Sequence, residues 1–258
     1  MQASGYLKIG SVSLEYQWIA SKAEAAALLL LHEGLGCVDM WKEFPQALAK
    51  ETGLGVFAYS RRGYGRSDTG ILPRPASYMH DEARLLDELL ALIPAKSFIL
   101  VGHSDGASIA SIYAGSHPQY DIDGLVLLAP HFFVEDLSIE SIAKVKKLYQ
   151  ESDLRERLRK YHGEQVDNAF LGWNDVWLSG GFRQWDIKEY LPRILVPTLI
   201  IQGEDDEYGS EAQVKVAQEL IAAPVTVRMF PNCGHSPHSQ SKEETLLEIN
   251  RFCDSQRK

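Results

Sequence analysis

Short apolar runs recur along the chain. They are ALLLLH at 27–32, GVFAYS at 55–60, SFILVGH at 97–103, GLVLLAP at 124–130, TLIIQG at 198–203 and VTVRMF at 225–230. Most of these runs are nearly continuous, which predicts strands buried on both faces of a parallel sheet. SVSLEYQWI at 11–19 tends to alternate apolar and polar residues, which predicts an early, partly exposed strand. Helical patterns separate these strands. Leu85, Leu86, Leu89, Leu90 and Ile93 form one stripe at helical spacing within 77–93. Residues 105–115 are rich in small side chains, as in a helix lying close against a sheet, and 210–222 and 242–253 predict two further helices. The alternation of strand and helix predicts an α/β protein with a mainly parallel, doubly wound sheet.

One segment breaks this rhythm. Residues 135–190 carry no buried strand but contain a charged helical stretch at 142–161, followed by Phe170, Trp173, Trp177, Phe182 and Trp185. An insertion of this length between two strands predicts a helical cap over the C-terminal edge of the sheet, where open α/β sheets bind ligands. The expected organisation is a core from 1–134 and 191–258, with a cap from 135–190. Aromatics at helical spacing are ordinarily core. A cap that covers a cleft must still turn some of them toward it, and Trp173 and Trp177 are the candidates for substrate contact.

Composition narrows the function classes. The chain has 258 residues, 45% of them apolar and 24% charged, within the range of a single folded core. Its net charge of −9 repels phosphate backbones and anionic lipid, so neither nucleic acid nor membrane is expected as a partner. The longest apolar run, AAALLLL at 25–31, is too short to span a bilayer. No signal peptide is expected from the N-terminus. Cys37, Cys233 and Cys253 are odd in number and widely spaced, which suggests a reducing compartment and no disulfide framework. A cytoplasmic protein acting on a small molecule is expected, and its oligomeric state is left open.

The chemistry concentrates at VGHSDGAS, 101–108. A G-x-S-x-G pattern alone is a modest signal. Here it lies between an apolar strand and a small-residue helix, the setting of a nucleophile elbow, and Ser104 becomes the candidate nucleophile. A phosphate-cradling loop is the weaker alternative, because no G-x-x-x-x-G-K-[ST] is present. A serine hydroxyl needs a base, and His235 in PNCGHSPH is the strongest candidate. GEDDEYG, after the 198–203 strand, offers Glu204, Asp205, Asp206 and Glu207 to orient that histidine. The order serine, acid, histidine is that of α/β-hydrolases. His235 and His238 form H-x-x-H, but Pro237 interrupts it and no H-E-x-x-H exists, so no metal site and no cofactor are expected.

Several motifs together resemble the α/β-hydrolase fold superfamily over nearly the whole chain, above all its capped esterases, lactonases, cofactor-free haloperoxidase-like enzymes and carbon–carbon bond hydrolases. LLLLHEGLG resembles the strand-HG-x-x-G oxyanion loop, YSRRGYGRSD the D-x-R-G-x-G-x-S turn, GHSDG the elbow, GEDD the G-x-x-D acid turn, and CGH the catalytic histidine. The resemblance implies a triad of Ser104, Asp206 and His235, with Asp205 as the fallback acid, and oxyanion donors at the backbone amides of Gly34 and Asp105. It further implies a serine hydrolase of a small or medium ester, lactone, thioester or activated ketone. His103 is commonly structural in such an elbow. His131, at a strand end, is a candidate for lining the cleft.

Two acids depart from the family pattern. An uncharged residue is usual where Asp105 stands, and glycine where Glu33 stands. A carboxylate about 6 Å from a developing oxyanion opposes it by roughly 2.8 kcal/mol at an effective dielectric of 20, comparable with the benefit of one oxyanion donor. Glu33 is therefore expected to point away, to pair with an arginine such as Arg62 or Arg66, or to be protonated. Pairing or outward orientation is the favoured expectation. The alternatives to a hydrolase are a lyase, a cofactor-free haloperoxidase or oxygenase on the same fold, or a ligand receptor.

Overall fold

In the computed structural model, residues 2–21, 26–116 and 118–256 are described. Ala25 of the longest apolar run, and the outermost residues of the two expected core ranges, lie outside them. The chain opens with β1 (Gln2–Ile9), β2 (Val12–Ile19), β3 (Ala27–Leu31), α1 (Phe44–Thr52) and β4 (Gly55–Tyr59). It continues through α2 (Tyr78–Leu90), β5 (Phe98–His103), α3 (Asp105–Ala114) and β6 (Ile122–Leu128). The helices α4 (Asp136–Glu151), α5 (Leu154–His162) and α6 (Val166–Trp177) follow, then β7 (Thr198–Gly203), α7 (Glu211–Leu220), β8 (Val225–Phe230), α8 (Pro237–Gln240) and α9 (Lys242–Gln256).

The strands form one sheet in the order β1-β2-β4-β3-β5-β6-β7-β8. From β4 to β8 all pairings are parallel, whereas β1–β2 and β2–β4 are antiparallel. Successive side chains of a strand point to opposite faces. Leu29 and Leu31 accordingly join α2 and α3 in one apolar cluster, and Leu28 and Leu30 join α1 and α9 in another. This is the doubly wound architecture that the apolar runs predict. The ten residues of α3 are all buried. Its small side chains let it lie directly on β3, β5 and β6.

One strand is unexpected, and two local expectations are corrected. β1 is a mostly exposed edge strand whose polar sequence carries no apolar run. The α2 helix stops at Leu90, although Ile93 is still buried beyond it. The charged stretch 142–161 is two helices, not one. Ser152 is extended (φ −129°, ψ −172°), and its hydroxyl donates to the Leu148 carbonyl at 2.6 Å, a local side-chain bond that competes with continued helix.

The helices α4–α6 lie between β6 and β7 in chain order. Hydroxyls of α4 fasten it to the loop after β7: Ser138 donates to the Tyr208 carbonyl at 2.5 Å and Ser141 to the Glu207 carbonyl at 2.6 Å. The α4 helix is thereby tied to the segment that carries the candidate acid.

Candidate active site

The turn from β5 into α3 is tight. Ser104 has φ 52° and ψ −116°, a left-handed φ that is strained for a residue with a side chain. Its neighbours must be glycine for steric reasons. A Cβ at Gly102 would fall on the backbone of Gly106 and Ala107, and one at Gly106 on the carbonyl of Leu31. The hydroxyl of Ser104 emerges at the helix N-terminus above the sheet edge.

His235 Nε2 lies 2.9 Å from Ser104 Oγ. Its Nδ1 lies 2.9 Å from both carboxylate oxygens of Asp206. Asp206 Oδ1 also accepts from the amides of Tyr208 (2.8 Å) and Gly209 (3.2 Å), and Oδ2 accepts from Gln202 Nε2 (2.6 Å). Burial alone would raise the Asp206 pKa. The opposing charge and hydrogen bond of His235, with the Tyr208 amide, hold it below the usual carboxylate range. Asp205 is exposed and its amide donates to the Cys233 carbonyl. Asp206, not its neighbour, faces the imidazole.

Gly34 lies on the wall of the cavity above Ser104. As the first residue of α3, Asp105 has an amide with no intrahelical acceptor. Two side chains that sequence reasoning passed over brace the 33–35 loop. Arg61, buried and only 1% exposed, donates to the carbonyls of His32 and Glu33. His162, at the end of α5, accepts from the Gly65 amide through Nδ1 and therefore donates through Nε2 to the Leu35 carbonyl, both at 3.0 Å. The sequence shows an RR dipeptide after β4, but nothing that distinguishes Arg61 from the exposed Arg62. No local pattern singles out His162.

The expected arginine partners of Glu33 are not its partners. Arg62 donates to the Thr69 carbonyl, and Arg66 faces Glu15 and Asp39. Arg62 is held by its own turn, and Arg66 by acids of two other segments. Glu33 instead turns toward His103, with Oε2 3.5 Å from Nδ1. Burial disfavours its charge, but the contact with His103 outweighs this and holds its carboxyl well below the usual carboxylate range. Asp105 points the other way, into the interior. Its Oδ2 accepts from Tyr78 Oη at 2.5 Å and lies 3.9 Å from Arg61. Burial raises its pKa, with Arg61 and Tyr78 offsetting part of the shift.

A cavity of about 240 Å³ opens over Ser104, walled by His131, Ile142, Trp173, Trp177 and Tyr208. Trp173 and Trp177 thus descend from α6 onto the site, whereas Phe170 and Phe182 are fully buried in the apolar core. The Trp173 indole lies against Gly34, where any Cβ would collide with it. Burial, then the charge of His235, push the His131 pKa down to about 3, so it lines the cavity as a neutral imidazole. Among the described residues no cluster of His, Cys, Asp or Glu is arranged to hold a metal, and no helix is long and apolar enough to cross a membrane.

The model of the alpha/beta hydrolase family matches residues 28–246. The chain belongs to that family. Its relatives are enzymes of the same type. It is 25% identical, over 97% of its own length and 92% of the other, to a proline iminopeptidase of Saccharolobus solfataricus. It is 28% identical to the human serine hydrolase BPHL, covering 93% of this chain and 83% of that protein. Among solved structures, an esterase of Exiguobacterium antarcticum superposes with a TM-score of 0.74 at 20% identity, over 98% of this chain and all of that one (100%). This last likeness concerns the fold. The chain is therefore an enzyme of the α/β-hydrolase type, and the receptor alternative is set aside.

Proposed function

We propose that the protein hydrolyses a small or medium ester, lactone, thioester or activated ketone through Ser104, His235 and Asp206. His235 takes the proton of Ser104 as its oxygen attacks the substrate carbonyl. Asp206 holds the imidazole in the tautomer with a free Nε2 and stabilises the imidazolium that forms. The amides of Gly34 and Asp105 receive the oxyanion. His235 then protonates the leaving group and activates water against the acyl-enzyme. The carrying observation is the continuous run from Asp206 through His235 to Ser104, at 2.9 Å on each side of the ring.

The walls suit the rest of the substrate. Trp173, Trp177 and Ile142 favour an apolar acyl group, His131 offers one neutral polar contact, and the cavity of about 240 Å³ restricts its size. Glu33 stands at the rim. This reading keeps residues 135–190 as the cap and the flanking ranges as the core. A second reading, iminopeptidase-type release of proline, is favoured by the name of the Saccharolobus relative.

The test is a panel of p-nitrophenyl acyl esters of graded length, lactones and proline p-nitroanilide, given to the wild type and to Ser104→Ala. Ester turnover that falls with acyl length and vanishes in Ser104→Ala supports the first reading. Turnover confined to the anilide supports the second. Turnover that survives Ser104→Ala rejects both.

A further inference from the structure

Glu33 and His103 form a pair whose hydrogen-bond roles are fixed by their surroundings. His103 Nε2 lies 2.7 Å from the backbone carbonyl of His235. A carbonyl only accepts, so Nε2 carries a hydrogen. The opposite nitrogen, Nδ1, faces Glu33 Oε2 at 3.5 Å. In a neutral ring with its hydrogen on Nε2, a bare Nδ1 lone pair would confront a carboxylate oxygen. Two acceptors cannot face each other in a buried site without cost. Nδ1 is buried and makes no hydrogen bond, and a proton on it would turn the contact with the carboxylate from repulsive to attractive.

The surroundings favour Nδ1. The Glu33 side chain is 23% exposed and keeps contact with water, whereas that of His103 is 2% exposed. The carboxylate can therefore remain ionised at the cavity rim while its counter-charge lies beneath it. Two other imidazoles of the site, those of His238 and His131, do not compete for that charge. Burial, followed by the charge of His103, pushes His238 down to about 3, and His131 is held neutral as well. The ring of His103 lies 5.2 Å from that of His235 and 4.7 Å from that of His238.

We propose that His103 is an imidazolium whose Nδ1–H faces the Glu33 carboxylate as an ion pair, so that the pair is neutral and the charge of Glu33 does not oppose the oxyanion. His103 then acts as a positioning residue in two ways. It cancels the charge of the acid that stands beside Gly34, and it holds the backbone of His235 through Nε2. This rests on the proposed oxyanion role of the Gly34 amide.

The experiment is a double-mutant cycle on p-nitrophenyl butyrate with wild type, Glu33→Gln, His103→Gln and the double variant. A glutamine in place of His103 can still donate to the His235 carbonyl but carries no charge. With Glu33 present, His103→Gln should lower kcat by about 10-fold or more at nearly constant KM, because an unpaired carboxylate faces the transition state. In the Glu33→Gln background, the same change should cost less than about 3-fold. Equal losses in both backgrounds would overturn the proposal. A second measurement needs neither turnover nor a folded His103 variant. Imidazole ¹⁵N NMR of the wild type at neutral pH should show both nitrogens of His103 protonated, and Glu33→Gln should abolish that state. A neutral ring in the wild type would overturn the proposal, even with Ser104-dependent turnover intact. Turnover independent of Ser104 would instead remove the hydrolase reading and leave the NMR result standing.

Discussion

Tyr78 donates its hydroxyl hydrogen to Asp105, the residue that follows the candidate nucleophile, at 2.5 Å. The same Tyr78 oxygen accepts from the indole of Trp177 at 3.1 Å. The acid that looks misplaced beside Ser104 is thus the core end of a buried chain running from the elbow, through α2, to α6. Its carboxyl faces the interior, and its amide is the proposed oxyanion donor.

Removing the middle of this chain leaves a buried carboxyl and a buried indole each short of a partner. Tyr78→Phe is expected to destabilise the fold by about 1–3 kcal/mol, read as a lower urea midpoint. Trp177 also walls the cavity, so KM should rise along with the loss of stability.

The bracing of the 33–35 loop separates into two bonds. An asparagine in place of His162 can retain the acceptor near Nδ1 that serves Gly65, and a glutamine the donor near Nε2 that serves Leu35. His162→Gln is expected to keep most of kcat. His162→Asn is expected to lose about 10-fold, because a displaced donor loop misplaces the Gly34 amide. Ester kinetics on the two variants check this, and equal losses would show that the Leu35 bond is not the one that matters.

Asp105 also makes a pH prediction. Its pKa is raised in the folded state, chiefly by burial, above the ordinary 3.8. The folded protein therefore holds that proton more tightly than the unfolded chain does. The contribution to stability is fully present below the unfolded pKa and is lost as pH rises through the folded value. Asp105→Asn has no proton to lose. The stability of the wild type relative to Asp105→Asn should fall as pH rises above the ordinary 3.8, as measured by urea denaturation of both proteins. A difference that grows with pH would contradict the assignment.

These relationships were unequally legible in the sequence. The buried strands declare themselves because a strand covered on both faces must be apolar throughout, and β3 and β5–β7 are fully or almost fully buried. The edge strand β1 escapes because exposure permits Gln2, Ser4 and Lys8. Ser104, Asp206 and His235 sit in short motifs whose constraints are local, such as glycines where backbones nearly touch. Arg61 and His162 have roles set by distant partners. His162 meets Gly65 and Leu35 across 97 and 127 residues, and no local spacing encodes such a meeting. The orientation of Glu33 was likewise hidden, because the arginines nearest in sequence were engaged elsewhere and its partner came from the elbow itself.

Everything proposed for the site depends on Ser104 being the nucleophile of a covalent mechanism. A fluorophosphonate probe reacts with such a serine only when a base activates it. Intact-mass and peptide mapping of the treated wild type should find one adduct, on Ser104, formed in step with loss of ester turnover. Ser104→Ala should remain folded and unlabelled. An adduct at another residue, or undiminished labelling of Ser104→Ala, would contradict that role.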